Sequence, residues 1–169
     1  MGLTIADATE EHLPAITAIY ARAAEESHVT FDVEGPPVEW WAEVAGREEL
    51  LVALEDGEVL GFAKTGRFKD RPGYDSTRET SAYVHADHRG KGVGNALYTE
   101  LLRRLDARDD LLMAVAGIAA PNPASEALHT SHGFTEIGTF EDAGMKFGSP
   151  WSVRWYQRRL SGGASSSPS

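Results

Sequence analysis

Arg89-Gly90-Lys91-Gly92-Val93-Gly94 is the stretch best suited to chemistry. Three glycines in six residues let the backbone approach a ligand closely and take positive φ angles. A β-rich run, Glu79 to His85, precedes the turn, and a helical run starts near Asn95. Amides at such a helix N-terminus converge where the helix dipole is positive, and Arg89 and Lys91 add formal charge. A phosphate or pyrophosphate fits; a plain strand-to-helix turn is the competing reading. An ATP-type P-loop is excluded because Lys91 is followed by Gly92 instead of Ser or Thr. A dinucleotide fingerprint is disfavoured, since the third spaced glycine is missing and the turn lies past the chain's midpoint.

The strand before the turn alternates, with Glu79, Ser81, Tyr83 and His85 on one face and Thr80, Ala82 and Val84 on the other. A face this polar suits a reaction cleft better than a core. His85-x-x-His88 and His129-x-x-His132 lack the i, i+4 spacing and the acidic or thiolate partner of a metal site, so no metal is expected.

A length of 169 residues with 41% hydrophobic content suits one globular domain. The net charge of −10 argues against a nucleic-acid binder. The lack of cysteine excludes disulfides, thiolate metal sites and a cysteine nucleophile. No apolar run is long enough to span a membrane, and the N-terminus has no signal-peptide pattern, so a cytoplasmic location is expected. Residues 161–169 are low-complexity and expected to be disordered, leaving one domain over 1–160.

The elements that would position these residues follow from periodicity. Residues 3–7 read as a strand and 10–25 as an amphipathic helix. An irregular stretch with His28, Val29 and Phe31 leads to Gly35-Pro36-Pro37, which starts a second helix through Trp40-Trp41 to Ala45. Leu50–Leu54 and Val59–Thr65 form a hairpin around Asp56-Gly57. Gly66 to Asp75 has no period and reads as a basic loop with Arg67, Lys69 and Arg71. It is either a solvated loop or a carboxylate clamp. Further elements are a helix over 95–107, an apolar strand over 111–118, and a helix from Asn122-Pro123 to Gly133. Strands over 134–140 and 152–160 complete the set.

Arg89-x-x-Gly92-x-Gly94 after a strand resembles the coenzyme A pyrophosphate turn of the GCN5-related N-acetyltransferases (GNAT). Asn122-x-x-Ser125-x-x-Leu128-His129-x-x-x-Gly133-Phe134 resembles their later motif. The chain is most similar to the phosphinothricin and methionine sulfone or sulfoximine N-acetyltransferases. It shares with them Val29-Thr30-Phe31, Gly66 to Arg71 with Tyr74, Glu79 to Val84, Pro121 to Ser125, and Gly144-Met145-Lys146-Phe147-Gly148.

This resemblance implies a mixed α/β fold of one domain. Its central, mostly antiparallel sheet, flanked by helices, would splay between the Glu79 and Leu111 strands, with acetyl-CoA in the gap. Glu79 would be the base and His129 the acid that protonates the thiolate, with His85 in reserve. Ala82, Tyr83 and Val84 would supply the oxyanion amide and pantetheine contacts. Arg89, Gly90, Lys91, Gly92, Val93, Gly94 and Asn95 would hold the pyrophosphate, while Asn122 and Ser125 would meet the pantetheine or its sulfur end. For the acceptor, Arg71 with Lys69 or Arg78 would hold a carboxylate, and Phe31 and Tyr74 would line the side-chain pocket.

The implied reaction is N-acetylation of a small amino acid analogue, of the kind that confers antibiotic or herbicide resistance, by a homodimer. Acetylation of another amine (polyamine, aminoglycoside or protein N-terminus) is the alternative enzyme reading, which the basic loop disfavours for polycations. A non-catalytic acyl-CoA sensor and a nucleotide-binding regulator are the alternatives of another class.

Overall fold

The computed structural model describes residues 2–163, in which seven strands form one sheet in the order β1-β2-β3-β4-β5-β7-β6. β1 is Thr4–Asp7, β2 Leu50–Glu55, β3 Glu58–Arg67, β4 Thr77–Val84, β5 Met113–Ala120, β6 Thr135–Lys146 and β7 Ser149–Arg159. Four α-helices accompany them: α1 Leu13–Glu26, α2 Val38–Arg47, α3 Val93–Asp106 and α4 Pro123–Ser131.

The β2–β3 hairpin closes through Asp56 and Gly57 at φ +50° and +81°. Both central residues of such a tight turn need positive φ, which is why Asp-Gly marks it.

Helices cover both faces of the sheet. α1 buries Leu13, Ile16, Ile19, Tyr20, Ala23 and Ala24, a stripe at helical spacing. α2 adds Trp41 and Val44, and together they cover Val52 and Phe62 on one face. Trp41 is fully buried while Trp40 stays 39% exposed, as two consecutive helical residues must diverge. The opposite face carries α3 through Leu97, Tyr98, Leu101 and Leu105, packed on Ala63, Ala114, Ala116 and Ile118. Each such buried side chain contributes about 1.5–3 kcal/mol of transfer free energy. The two cores therefore fix which side chain of each strand faces which helix.

All neighbouring strands run antiparallel except β4 and β5, which are parallel and paired only over Thr77–Glu79 with Met113–Val115. Beyond Glu79, β4 continues on β3 as far as Val84↔Gly61. β5 continues on β7 as far as Ala120↔Ser152. The sheet therefore opens into a V with its apex at Glu79, as the mostly antiparallel splayed arrangement requires.

Two details differ from the pattern-based expectation. The β6–β7 hairpin is longer than 134–140 and 152–160. Its register shifts between Phe140 and Gly144 around the polar Glu141-Asp142, and this obscures alternation. Ordered chain also continues past residue 160: the Ser161 amide donates to Asp106 Oδ1 at 2.9 Å, and Gly163 is buried. Residues 164–169 of the expected tail lie outside the described residues.

Candidate active site

The open V exposes peptide groups that would otherwise be paired. The His85 amide donates to Leu60 O on β3, and Ser76 O accepts from Leu112 N on the β5 side. With regular alternation between them, residues 76, 78, 80, 82 and 84 turn their backbone polar groups toward β5. The last bridge, Glu79↔Val115, still engages the Thr80 amide, and beyond it the peptide groups of Ala82 and Val84 face the gap without a strand partner. Buried backbone groups require partners, and an extended ligand carrying amides would supply them. Tyr83 turns its amide to β3 instead, so of the three residues expected to present peptide groups to a ligand, Ala82 and Val84 are suitably oriented.

The gap is a cleft of about 720 Å³ lined by both walls of the V, by α4 and by the glycine turn. Gly92 is the N-cap of α3 at φ +81°, and Gly90 has φ +75°. The amides of Val93, Gly94 and Asn95 lie in the first turn of α3, where no intrahelical carbonyl can accept them. Arg89, Gly90, Gly92, Val93, Gly94 and Asn95 line the cleft, as do Asn122 and Ser125, while Lys91 is exposed outside its lining. Asn122 caps α4, its side-chain oxygen accepting from Ser125 N at 3.3 Å. Pro123 occupies the first turn of that helix, where its missing N–H costs nothing.

Glu79 sits half-buried at the apex, on the face shared by Ser81 and Tyr83. Burial raises its pKa above the ordinary carboxylate value, and the nearby Lys64 and Lys69 ammonium groups partly offset that rise. A desolvated carboxylate with a raised pKa is the stronger proton acceptor. Beneath it on the same face, Tyr83 stacks on Phe62 and contacts Tyr20 edge-on. Burial pushes the Tyr83 phenol up to about 12, so it stays neutral at any working pH.

His129 is placed differently from a free acid. It lies across the sheet from Glu79, 4% exposed, among Tyr98, Phe134 and Tyr156. Nδ1 is 2.7 Å from the Ser125 carbonyl and so carries the proton, while Nε2 lies 2.8 Å from the Tyr98 hydroxyl. Burial lowers its pKa, which favours this neutral tautomer. Both ring nitrogens are engaged, which leaves no proton ready for a leaving group.

His85 leaves the polar face altogether. β4 ends at Val84, and His85 caps a 3₁₀ turn through Nδ1, which accepts from Asp87 N at 3.1 Å. Arg78 is held at home: its guanidinium donates to Asp75 O and Thr77 O and lies 3.5 Å from Glu48. Arg67 is likewise paired with Asp70 and Asp75. Lys69 and Arg71 are exposed. Phe68 connects this loop to the site, contacting Tyr74 and Trp155 edge-on. The Trp155 indole lies over Gly117, where an added Cβ would come within 3.0 Å of it.

A strap over residues 27–33 completes the site. The buried Lys146 ammonium donates to Thr30 O and Asp32 O, each at 2.7 Å. His28 Nε2 donates to Pro121 O at 2.8 Å, and its ring stacks on Trp151 at 4.2 Å. Tyr20 holds the strap from beneath through Thr30 and Asp32. Phe31 rests directly on Gly144, whose hydrogen leaves the room a methyl would fill: an added Cβ would come within 2.3 Å of the ring. Sequence reasoning noticed Gly144 to Gly148 only as a shared motif; its fastening role needed the long-range contact. Among the described residues, no group of three or more His, Asp or Glu is gathered for a metal.

An anion turn heading a helix, a seam of unpaired peptide groups and a desolvated carboxylate at its apex define an acyltransferase that uses a nucleotide-linked thioester. The chain belongs to the Acetyltransferase (GNAT) family, whose pattern matches residues 13–134. It is an acetyl-CoA-dependent N-acetyltransferase. It is 38% identical over 164 residues to the phosphinothricin N-acetyltransferase of Streptomyces coelicolor, covering 89% of this chain and 92% of that one. It is 36% identical over 166 residues to the L-methionine sulfoximine/L-methionine sulfone acetyltransferase of Pseudomonas aeruginosa, covering 95% and 96%. The structure of a phosphinothricin acetyltransferase from Sinorhizobium meliloti in complex with AcCoA superposes with a TM-score of 0.92. It is 31% identical and covers 100% of this chain and 94% of that one.

Proposed function

We propose that the acceptor is the α-amine of a small amino acid analogue with a tetrahedral polar tail, of the phosphinothricin, methionine sulfone or methionine sulfoximine type. The observation that carries this is the pair of ammonium groups beside Glu79: Lys64 and Lys69 both act on its carboxylate, in a protein whose net charge is −10. Such a site attracts an acceptor bearing a carboxylate and repels a polyamine.

In this reading the first-turn amides of α3 with Arg89 grip the pyrophosphate. Ala82 and Val84 pair with the pantetheine as an added strand, and one of their amides steadies the oxyanion. Glu79 takes a proton from the acceptor ammonium, directly or through water, and the neutral amine attacks the thioester carbonyl. The C–N bond forms, the C–S bond breaks, and the departing proton ends on the thiol. A thiol of pKa about 8.5 needs little help to leave, so His129 serves to position Tyr98 and the α4 wall. Lys69, Arg71 and Tyr74 form the acceptor rim, with Phe31 on the strap opposite the hairpin. Arg78 is dropped from the acceptor set because its guanidinium is already used.

Steady-state thiol release tests the reading. Methionine sulfone and phosphinothricin should be acetylated with saturation, and spermidine should not. Saturation by spermidine alone would overturn it, and tight acetyl-CoA binding without turnover on any amine would favour the sensor.

We also propose a homodimer built on the β6–β7 hairpin. β6 is an edge strand with Ile137, Phe140 and Met145 exposed at 53%, 64% and 66%, next to Phe147 at 59%. A long apolar edge left open invites uncontrolled pairing, and a second copy would cover it. Sedimentation velocity at micromolar concentration should give a dimer for the native chain and a monomer for Ile137→Glu/Phe140→Glu. A monomeric native chain would dispose of this proposal. No described helix is long and apolar enough to cross a membrane; we place the enzyme in the cytoplasm, with its acetyl-CoA supply. N-acetylation there would remove the charge of a toxic amino acid analogue, consistent with a resistance role.

A further inference from the structure

Lys64 lies in the middle of β3, with Phe62 before it and Gly66 after it on the same face. Its register partner is Ser81, and that of Gly66 is Glu79, so Lys64 is the diagonal cross-strand neighbour of the candidate base. Its ammonium is 5.8 Å from the centre of the Trp40 ring and would be 3.6 Å from a Cβ at Gly66. Trp40 on α2 therefore roofs one side of this cation, and the missing side chain at Gly66 leaves the other side open.

Three carboxylates face Lys64: Glu79, Glu48 and Asp32. Two of them are occupied elsewhere. Glu48 accepts from the Thr65 hydroxyl at 2.7 Å and pairs with Arg78 at 3.5 Å. Asp32 accepts from the Tyr20 hydroxyl. Among the described residues, Lys64 makes neither an ion pair nor a hydrogen bond, and burial lowers its pKa. A half-buried cation that makes no hydrogen bond or ion pair is costly to maintain, and an anionic ligand would offset that cost.

We propose that Lys64 is the receptor for the acceptor's α-carboxylate and thereby a specificity-determining residue, holding the substrate so that its α-amine meets Glu79. This deepens the amino acid reading above and rests on it. In an α-amino acid the amine and carboxylate are joined through one carbon, and Glu79 and Lys64 offer complementary charges as diagonal neighbours on one sheet face. The acceptor thus completes the site: its carboxylate supplies the anion that Lys64 lacks, and its ammonium supplies the cation that Glu79 lacks. The exposed Lys69 and Arg71 are then left to the polar tail.

The test compares native, Lys64→Met and Lys64→Arg proteins with methionine sulfone, its α-carboxamide and phosphinothricin. Calorimetry with acetyl-CoA checks that each protein is folded and loaded. The expected result for Lys64→Met is a rise in KM of roughly 30-fold or more for both free acids, about 2 kcal/mol of lost charge pairing, with the carboxamide unchanged. Lys64→Arg should recover part of the loss. A loss confined to phosphinothricin would overturn the assignment by making Lys64 a reader of the anionic tail. An equal loss on all three acceptors, in kcat and with a shifted acid limb, would overturn it by making Lys64 a modulator of Glu79. An unmoved KM sinks the Lys64 assignment and spares the amino acid reading; a native protein inactive on every free acid sinks the amino acid reading itself.

Discussion

Glu79→Gln is expected to lower kcat/KM by about 10²–10⁴-fold, the range over which general-base assistance acts, while leaving acetyl-CoA affinity unchanged. The substitution preserves shape and removes the proton acceptor at the apex of the V. The pH profile supplies the sharper readout. Burial raises the Glu79 pKa, and the base works only when deprotonated, so kcat/KM should fall as pH drops through that raised pKa. The acceptor ammonium titrates well above neutrality, so it is the form that meets the Glu79 carboxylate and adds no slope of its own to the native profile. The native enzyme should therefore show a slope of one below the Glu79 pKa and a plateau above it, whereas Glu79→Gln, which must capture the scarce neutral amine, should keep a slope of one through neutral pH. Stopped assays with methionine sulfone across acid and neutral pH measure this directly. Equal slopes and equal rates in the two proteins would remove Glu79 from the mechanism.

The same residues show how far a sequence can be read. Asp56-Gly57 and the Arg89-to-Gly94 turn were legible because both depend on local backbone rules: positive φ at glycine and unpaired amides at a helix start. The faces of β4 were legible because alternation has a period of two, and Thr80, Ala82 and Val84 indeed turn to α3 while Glu79, Ser81 and Tyr83 turn to α1 and α2. Alternation could not say where the strand stops. His85 leaves the series because the chain bends into a 3₁₀ turn there, its ring nitrogen accepting from Asp87 N.

Partners distant in sequence set the remaining roles. His129 reads as a titrating group in a helix, and only the approach of Tyr98, 31 positions earlier, commits its second nitrogen. Lys146 stands out in the sequence only as part of the Gly144-to-Gly148 motif, yet it is 4% exposed and fastens a loop 116 positions away. Lys64 gives no local signal, because a lysine at every second position of a strand is the usual solvent-facing pattern. It acquires meaning when α2 places Trp40 over that face. The residues proposed to bind the acetyl donor were thus easier to read than those proposed to choose the acceptor. In the proposed reading, backbone groups and glycines hold the acetyl donor, whereas acceptor choice falls to side chains brought in from several elements.

Gly92 allows the donor side to be tested against an internal control. Gly92 and Gly57 share φ +81°, and an added Cβ meets no protein atom within 4 Å at either position. Substitution by Val should impose a similar backbone strain at both, about 1–2 kcal/mol for a left-handed residue. The two proteins should therefore lose comparable stability in a urea titration. Their kinetics should diverge, because Gly57 closes a hairpin while Gly92 caps α3 at the mouth of the cleft. At Gly92 the added side chain enters the space a pyrophosphate needs, and the strain tilts the amides of Val93 and Gly94 that would receive it. Gly92→Val is expected to raise KM for acetyl-CoA by about 10²-fold, the loss of two or more charge-assisted hydrogen bonds, with the acceptor KM little changed. Gly57→Val should leave both KM values at native levels. Equal acetyl-CoA KM values in the two variants would mean that the turn is only a strand-to-helix connection, and the pyrophosphate would have to be held elsewhere along the cleft.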